Sequence, residues 1–238
     1  VTYTVTVTDI NSATASATFS LAVNGAVTAT QAVASTTLTQ NKAATPFTPV
    51  TGSGGTAPLS YGVSPSLPSG LSFNTTSGVI TGTPTATLTA SSFTVTVTDA
   101  NGATATANFS LAVNTGVTAT TAVPTTVLTA NHAATAFTPV TGGGGTPPLT
   151  YGVSPTLPAG LTMDTTNGMI SGTPTASITA TTFTVTVTDA NSATANATFS
   201  LTVNGAVTAT TAIPSTALVL NTPAASFTPV TGSGGTPP

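Results

Sequence analysis

The chain has 238 residues, a formal net charge of -3 and charged side chains at only 2% of positions, and roughly a quarter of it is threonine. With one lysine and no arginine there is no basic patch to neutralise phosphates, which argues against nucleic-acid binding, and Lys42 is the only target for a trypsin-like protease. Cysteine is absent, so each domain must stand on its apolar core without disulfides.

No run of about 18 apolar residues is long enough to span a membrane, and residues 1–24 alternate in polarity where a signal peptide would be charged and then apolar. The dominant feature is repetition. TVTVTDINSATA from Thr4 returns as TVTVTDANGATA from Thr94 and TVTVTDANSATA from Thr184, and FTPVTG recurs at Phe47, Phe137 and Phe227, all 90 residues apart. That period fits a small independent domain of roughly 100 residues. Residues 1–24 are read as the C-terminal strands of an incomplete copy, 25–114 and 115–204 as complete copies, and 205–238 as the N-terminal part of a fourth. The chain is therefore expected to be a window on a longer protein.

Within the copy at 115–204, short strands are expected at Thr125–Thr129, Ala136–Thr141, Leu149–Val153, Leu161–Met163 and Met169–Ser171. Each ends at a Gly, Pro or Asn cluster: GGGGTPP from Gly142, SPTLPAG from Ser154, DTTNG from Asp164 and GTPT from Gly172. A hairpin follows, in which Phe183, Val185 and Val187 alternate with threonines, and Ala193, Ala195, Ala197, Phe199, Leu201 and Val203 alternate with polar residues. Its turn is Asp189–Ser192, with Asn and, in the previous copy, Gly102 to supply positive φ. Seven short strands without a helical period predict an all-β fold of tandem Ig-like sandwiches. The core is assigned to Phe137, Leu149, Tyr151, Val153, Leu157, Leu161, Met163, Ile170, Phe183, Val185, Val187, Phe199, Leu201 and Val203. Stretches such as 204–216 are read as short linkers stiffened by Pro214, which would make the array an extended rod or fibre.

The order LPAGL, GMISGTPT, TVTVTDANSA, matched one copy earlier by LPSGL, GVITGTPT, TVTVTDANGA, resembles the He_PIG family of Ig-like repeats of bacterial surface proteins, which are related to cadherin-like modules. The resemblance spans most of both complete copies. It implies an Ig-like sandwich used in tandem as a spacer or adhesive stalk, outside the cell or on its surface, and names no single activity.

Candidate chemistry is sparse. Asp9, Asp99 and Asp189 occupy one repeat position, and Asp164 stands where the preceding copy has Asn74. Cadherin-like modules bind calcium between domains, but Ca²⁺ takes about six to eight oxygens and tight sites concentrate carboxylates. One aspartate per repeat is read as a turn residue, and no metal or cofactor is assigned. His132 replaces Lys42 and Thr222 of the other copies and has no recurring partner, so no catalytic constellation is assigned and the protein is read as a non-enzyme. GSGG at 52–55 and GGGG at 142–145 lack the Lys and Ser/Thr of a phosphate-binding loop and are read as turns.

Thr184, Thr186, Thr188, Thr194, Thr198 and Thr202 are expected on one outer face. Such arrays occur on ice-binding β-proteins, although threonine is also a favoured residue on a solvated sheet. Asn74, Asn108 and Asn196 begin glycosylation sequons, the last two facing outward by the alternation. The function expected is that of a structural segment of a long bacterial extracellular protein, forming a stalk, fibre, filament or matrix element. Its partners would be adjacent repeats or identical subunits joined head to tail by strand complementation. The alternative is an adhesin whose modules bind glycans or a surface.

Overall fold

The structure, a computed structural model, describes residues 1–237 and contains strands and turns without a helix among them. It forms two compact units, one made of Val1–Thr37 with Ala43–Val113, the other of Leu38–Lys42 with the chain from Asn114 onward.

The first unit opens on a hairpin, β1 (Thr2–Thr8) and β2 (Thr14–Ser20), in which Tyr3 pairs with Phe19. Then come β3 (Thr28–Gln31), β4 (Ser35–Thr39), β5 (Val50–Ser53), β6 (Ser60–Ser64), β7 (Leu71–Phe73), β8 (Ile80–Gly82), β9 (Leu88–Thr98) and β10 (Thr104–Asn114). The large sheet runs β4-β10-β9-β6; opposite it lie the pairs β3-β5 and β7-β8, with Phe47 bridged to Ile80. Leu38 and Thr39, the end of β4, group with the second unit.

The second unit repeats the plan with β11 (Thr118–Thr121), β12 (Thr125–Thr129), β13 (Ala134–Phe137), β14 (Val140–Gly143), β15 (Thr150–Ser154), β16 (Leu161–Met163), β17 (Ile170–Gly172), β18 (Ile178–Thr188) and β19 (Thr194–Asn204). Its large sheet is β12-β19-β18-β15, with β12 parallel to β19, and β11-β14 and β13-β17-β16 form the other layer. β20 (Thr208–Thr211) pairs with β21 (Val230–Ser233) as β11 pairs with β14. Each complete repeat is thus an all-β, Ig-like sandwich.

The central hairpin makes the core. Because side chains alternate across a strand, Phe183, Val185 and Val187 face inward with Phe199, Leu201 and Val203, all between 0% and 2% exposed. Burying each stabilises by about 1.5–3 kcal/mol. Phe183 and Phe199, directly opposed, stack at 5.5 Å, and Phe137 meets Phe199 edge-on at 6.3 Å. Phe93, Phe109 and Phe47 repeat this trio at 5.5 Å and 6.4 Å. In β1–β2 the same positions, Tyr3, Val5, Val7 and Phe19, are 45–69% exposed. All fourteen predicted core residues lie in the buried cluster or pack against it.

Two expectations need correction. The single strand Ala136–Thr141 is two strands, β13 in one sheet and β14 in another, because Pro139 cannot donate to a ladder. Its carbonyl instead accepts the amides of Ala122 and Val123 at 2.8 and 3.1 Å. The break lets Phe137 and Val140, three apart, both turn inward, and Val140 is fully buried though the alternation does not select it. The stretch read as a linker holds a strand in each copy, β3, β11 and β20, leaving only 205–207 between β19 and β20.

At the hairpin turn, positive φ falls on Ser12 (64°), Gly102 (84°) and Ser192 (61°), not on the asparagine before them. A Cβ is costly there and glycine is not. Ser192→Gly is therefore expected to stabilise the second unit by about 0.5–1 kcal/mol, and Gly102→Ser to destabilise the first by a similar amount. Urea-unfolding midpoints of the two variants check both signs.

Candidate functional site

The hairpin aspartate accepts several hydrogen bonds in each complete repeat. Asp189, 5% exposed, ends β18. Its Oδ1 accepts the amides of Asn191 (3.0 Å) and Ala193 (2.7 Å), which closes the turn, while Oδ2 accepts the amide of Thr146 (2.9 Å) from the loop after β14 and the hydroxyl of Thr39. Asp99, 8% exposed, accepts from Asn101 (3.0 Å), Ala103 (2.8 Å) and Thr56 (2.9 Å). Asp9 repeats the turn half of the pattern, with Asn11 at 2.9 Å and Ala13 at 2.7 Å.

The glycine run explains how a loop amide reaches the carboxylate. Gly144 and Gly145 both have positive φ (62° and 69°), folding the loop back on itself. A Cβ on Gly145 would lie 2.9 Å from Asp189 Cβ and 2.8 Å from Val117 Cγ2. Gly55 is equally close to Asp99, at 2.8 Å. The runs at 52–55 and 142–145, expected to be turns, begin inside β5 and β14, and only their second halves, Gly54 with Gly55 and Gly144 with Gly145, turn and cradle the aspartates.

Hydroxyls and carboxamides complete the node. Asn191 Nδ2 donates to Thr39 Oγ1 and Thr146 Oγ1, both at 3.0 Å; Asn114 Nδ2 donates to Thr146 Oγ1 at 3.2 Å; the two hydroxyls are 2.9 Å apart. Around Thr56 the same roles fall to Asn101 (2.9 Å) and Asn24 (3.0 Å), and around Thr236 to Asn204 and Thr129, both at 3.1 Å.

These contacts set the electrostatics. Burial pushes the Asp189 carboxyl up, but the Thr39 hydroxyl and the amides of Thr146, Ala193 and Asn191 outweigh it and hold the group below the ordinary aspartate range. The Thr56 amide does most to lower Asp99. Asp164 is lowered chiefly by the Thr166 hydroxyl, 2.6 Å from Oδ1, whose amide lies at 2.8 Å; Asn167 Nδ2 donates to Oδ2 at 2.8 Å. Asn74 accepts the same Thr76 groups through its Oδ1, at 2.9 and 2.7 Å. All four carboxylates therefore receive N–H or O–H donors as turn caps.

A threonine hydroxyl against a carboxylate is also the arrangement of an activated nucleophile. Thr39, however, is 1% exposed and is enclosed by Asn191 and Thr146, which leaves no space for a substrate carbonyl. His132 is exposed, on the rim of a depression lined by Thr126 to Thr129 and Ala133 to Phe137, none of which carries a carboxylate.

The outer face carries the hydroxyls expected of it. Thr184 lies opposite Thr198 and Thr188 opposite Thr194, but Thr186 faces Asn196 on one side and Gly152 on the other, and Thr202 faces Val127. The threonine lattice is thus interrupted. Asn108 and Asn196 are exposed on this face, and Asn74 is exposed at its turn. Thr39 and Thr146 are the members of the node that sequence reading missed. The available signal was the Gly-Gly-Thr that precedes each complete aspartate phrase by a constant interval, at Thr56 and Thr146.

Residues 26–114 and 116–204 each match the family model He_PIG, described as "Putative Ig domain". Among solved structures, the chain is similar to the I-band fragment I67–I69 of titin, with 13% identity, 79% of this chain and 68% of that one covered, and a TM-score of 0.47. It is also similar to human protocadherin-24 EC1-2, with 14% identity, 76% and 98% covered, and a TM-score of 0.37. No curated protein sequence matches the chain.

Gly145→Ala is expected to cost the second unit about 2 kcal/mol or more, from the positive φ and the contact with Asp189, measured by chemical denaturation. The pH dependence follows from the lowered carboxyls. Their contribution is fully present above the ~3.9 of an unfolded aspartate and is lost as pH falls through the lower folded values. Thermal midpoints should drop in that acid window, and an Asp99→Asn, Asp189→Asn double variant should start lower at neutral pH and show a smaller drop.

Proposed function

The chain belongs to the He_PIG family of Ig domains, with two complete copies in tandem, and from that premise we propose that it is a structural, non-enzymatic segment of a long bacterial extracellular repeat protein. It would serve as a stalk, fibre or matrix element, with repeats of the same kind as neighbours.

One observation carries this reading. The polar groups written once per repeat, Asp99 with Thr56 and Asp189 with Thr146, are spent on internal support, and the two aspartates are only 5–8% exposed. A binding or catalytic module would keep its repeated polar groups open to a ligand. What the second unit presents outward on the β15-β18-β19 face is threonine, serine, asparagine and glycine. In a chain with 2% charged residues, that face supplies hydration that charge cannot. The exposed Asn74, Asn108 and Asn196 would carry sugars only in a host with the transferase, which the intact mass of native material would reveal.

Small-angle scattering on this chain and on versions lengthened by one or two 90-residue repeats tests the proposal. The maximum dimension should grow by a constant increment per repeat. A particle that stays compact as repeats are added would overturn it. Saturable binding on a glycan array would favour the adhesin reading instead.

A further inference from the structure

Asparagine followed by glycine occurs four times, at Asn24 with Gly25, Asn101 with Gly102, Asn167 with Gly168 and Asn204 with Gly205. The glycines differ in what the fold asks of them. Gly102 and Gly168 have φ of 84° and 74°, a left-handed backbone that a Cβ makes costly, and a Cβ on Gly168 would lie 2.7 Å from the Tyr151 ring. Gly25 and Gly205 lie outside that region, and a Cβ built on either meets nothing within 4 Å. In the middle copy Thr115 follows Asn114 at the equivalent position, so a side chain is accepted there. The turns require glycine at 102 and 168; the fold does not require it at 25 and 205.

What glycine does supply at 25 and 205 is an unshielded main-chain amide beside a carboxamide. In such a pair the glycine nitrogen attacks Cγ of the asparagine. A C–N bond forms, the side-chain nitrogen leaves as ammonia together with the amide proton, and a five-membered imide remains. Water then opens the ring at either carbonyl, giving aspartate or an isoaspartate whose main chain is one methylene longer. The amide must shed its proton to attack, so the step quickens as pH rises, and a side chain on the following residue hinders it. Asparagine counts among the thermolabile residues.

Hydrogen bonding separates the four pairs. The Gly102 amide donates to the Asp99 carbonyl at 3.0 Å, and the Gly168 amide to the Asp164 carbonyl at 2.8 Å. Asn101 Nδ2 is held by Thr56 Oγ1 at 2.9 Å, and Asn167 is held at both ends, donating to Asp164 Oδ2 at 2.8 Å and accepting the Met169 amide at 2.9 Å. The exposed amides of Gly25 and Gly205 have no acceptor among the described residues. One side-chain bond restrains each asparagine before them, Asn24 Nδ2 to Thr56 Oγ1 at 3.0 Å and Asn204 Nδ2 to Thr236 Oγ1 at 3.1 Å.

We propose that Asn24 and Asn204 are sites of spontaneous conversion to aspartate and isoaspartate in the folded protein, while Asn101 and Asn167 are protected by their turns. Each conversion adds a negative charge to a chain whose formal net charge is -3. It also removes the Nδ2 donor to Thr56 or Thr236, and an isoaspartate at 204 lengthens the main chain where β19 passes into the 205–207 connection. The ends of repeats thus acquire charge with age, and the hairpin turns do not.

The whole chain, held folded at mildly alkaline pH and then unfolded, digested and mapped by mass spectrometry, tests this. Asn24 and Asn204 should convert at least about fivefold faster than Asn101 and Asn167, the factor that goes with one further net hydrogen bond to break. In denaturant that advantage should disappear. Asn114, tethered to Thr146 Oγ1 at 3.2 Å but followed by Thr115, should stay slow in both states. Gly25→Ala and Gly205→Ala, whose Cβ has room, should each slow conversion at its own site and leave the unfolding midpoint unchanged. Equal rates at the four pairs in the folded chain, or faster conversion at Asn101 or Asn167, would overturn the proposal. So would conversion of Asn114 as fast as that of Asn204, because glycine would then play no part.

Discussion

The constraint on which each sandwich depends is a carboxylate almost out of water, its lone pairs filled by hydrogen-bond donors. A buried ionised group is tolerated only when its lone pairs are filled. Filling those of Asp189 requires a tight hairpin turn that aims two amides at Oδ1 and a doubled-back glycine loop that brings Thr146 to Oδ2. The turn sets the register of β18 with β19, which puts Phe183 across from Phe199 and points the valines inward. The loop ties β14, in the other layer, to the same point. One side chain therefore links the two layers of the sandwich at the end of its longest strands.

The rest of the repeat is built from few residue types. Large apolar side chains fill the inner face and stack in the Phe137, Phe183, Phe199 trio. Threonine supplies the outer face, where its β-branched shape suits a strand and its hydroxyl meets water. With so little charge on the chain, acid sensitivity is concentrated in four aspartates, each of which caps a turn through its side chain.

Much of the fold was legible because period-two alternation is a direct consequence of strand geometry. The hairpin strands, Thr125–Thr129 and Leu161–Met163 were found where the alternation or the flanking turn residues were unambiguous. The strand at Thr118–Thr121 was not, since Thr-Ala-Thr-Thr offers no large inward residue and Pro124 follows closely, so it read as a linker. Val140 escaped because Pro139 breaks the alternation and moves the chain between sheets. Of the node, Asp189 was visible as the repeated acid and its turn role follows from Asx chemistry. Thr146 and Thr39 lie 43 and 150 residues from it, and only the three-dimensional path brings them to one oxygen.

The central claim is that donors outweigh burial at the hairpin aspartates. Carbon-13 NMR titration of the side-chain carboxyls measures it most directly, since each of the four resonances reports its own protonation. Asp99 and Asp189 should both titrate below the ~3.9 of an unperturbed aspartate. If either titrates above that value, burial dominates there, the donor network is not what holds the carboxylate, and the account is contradicted.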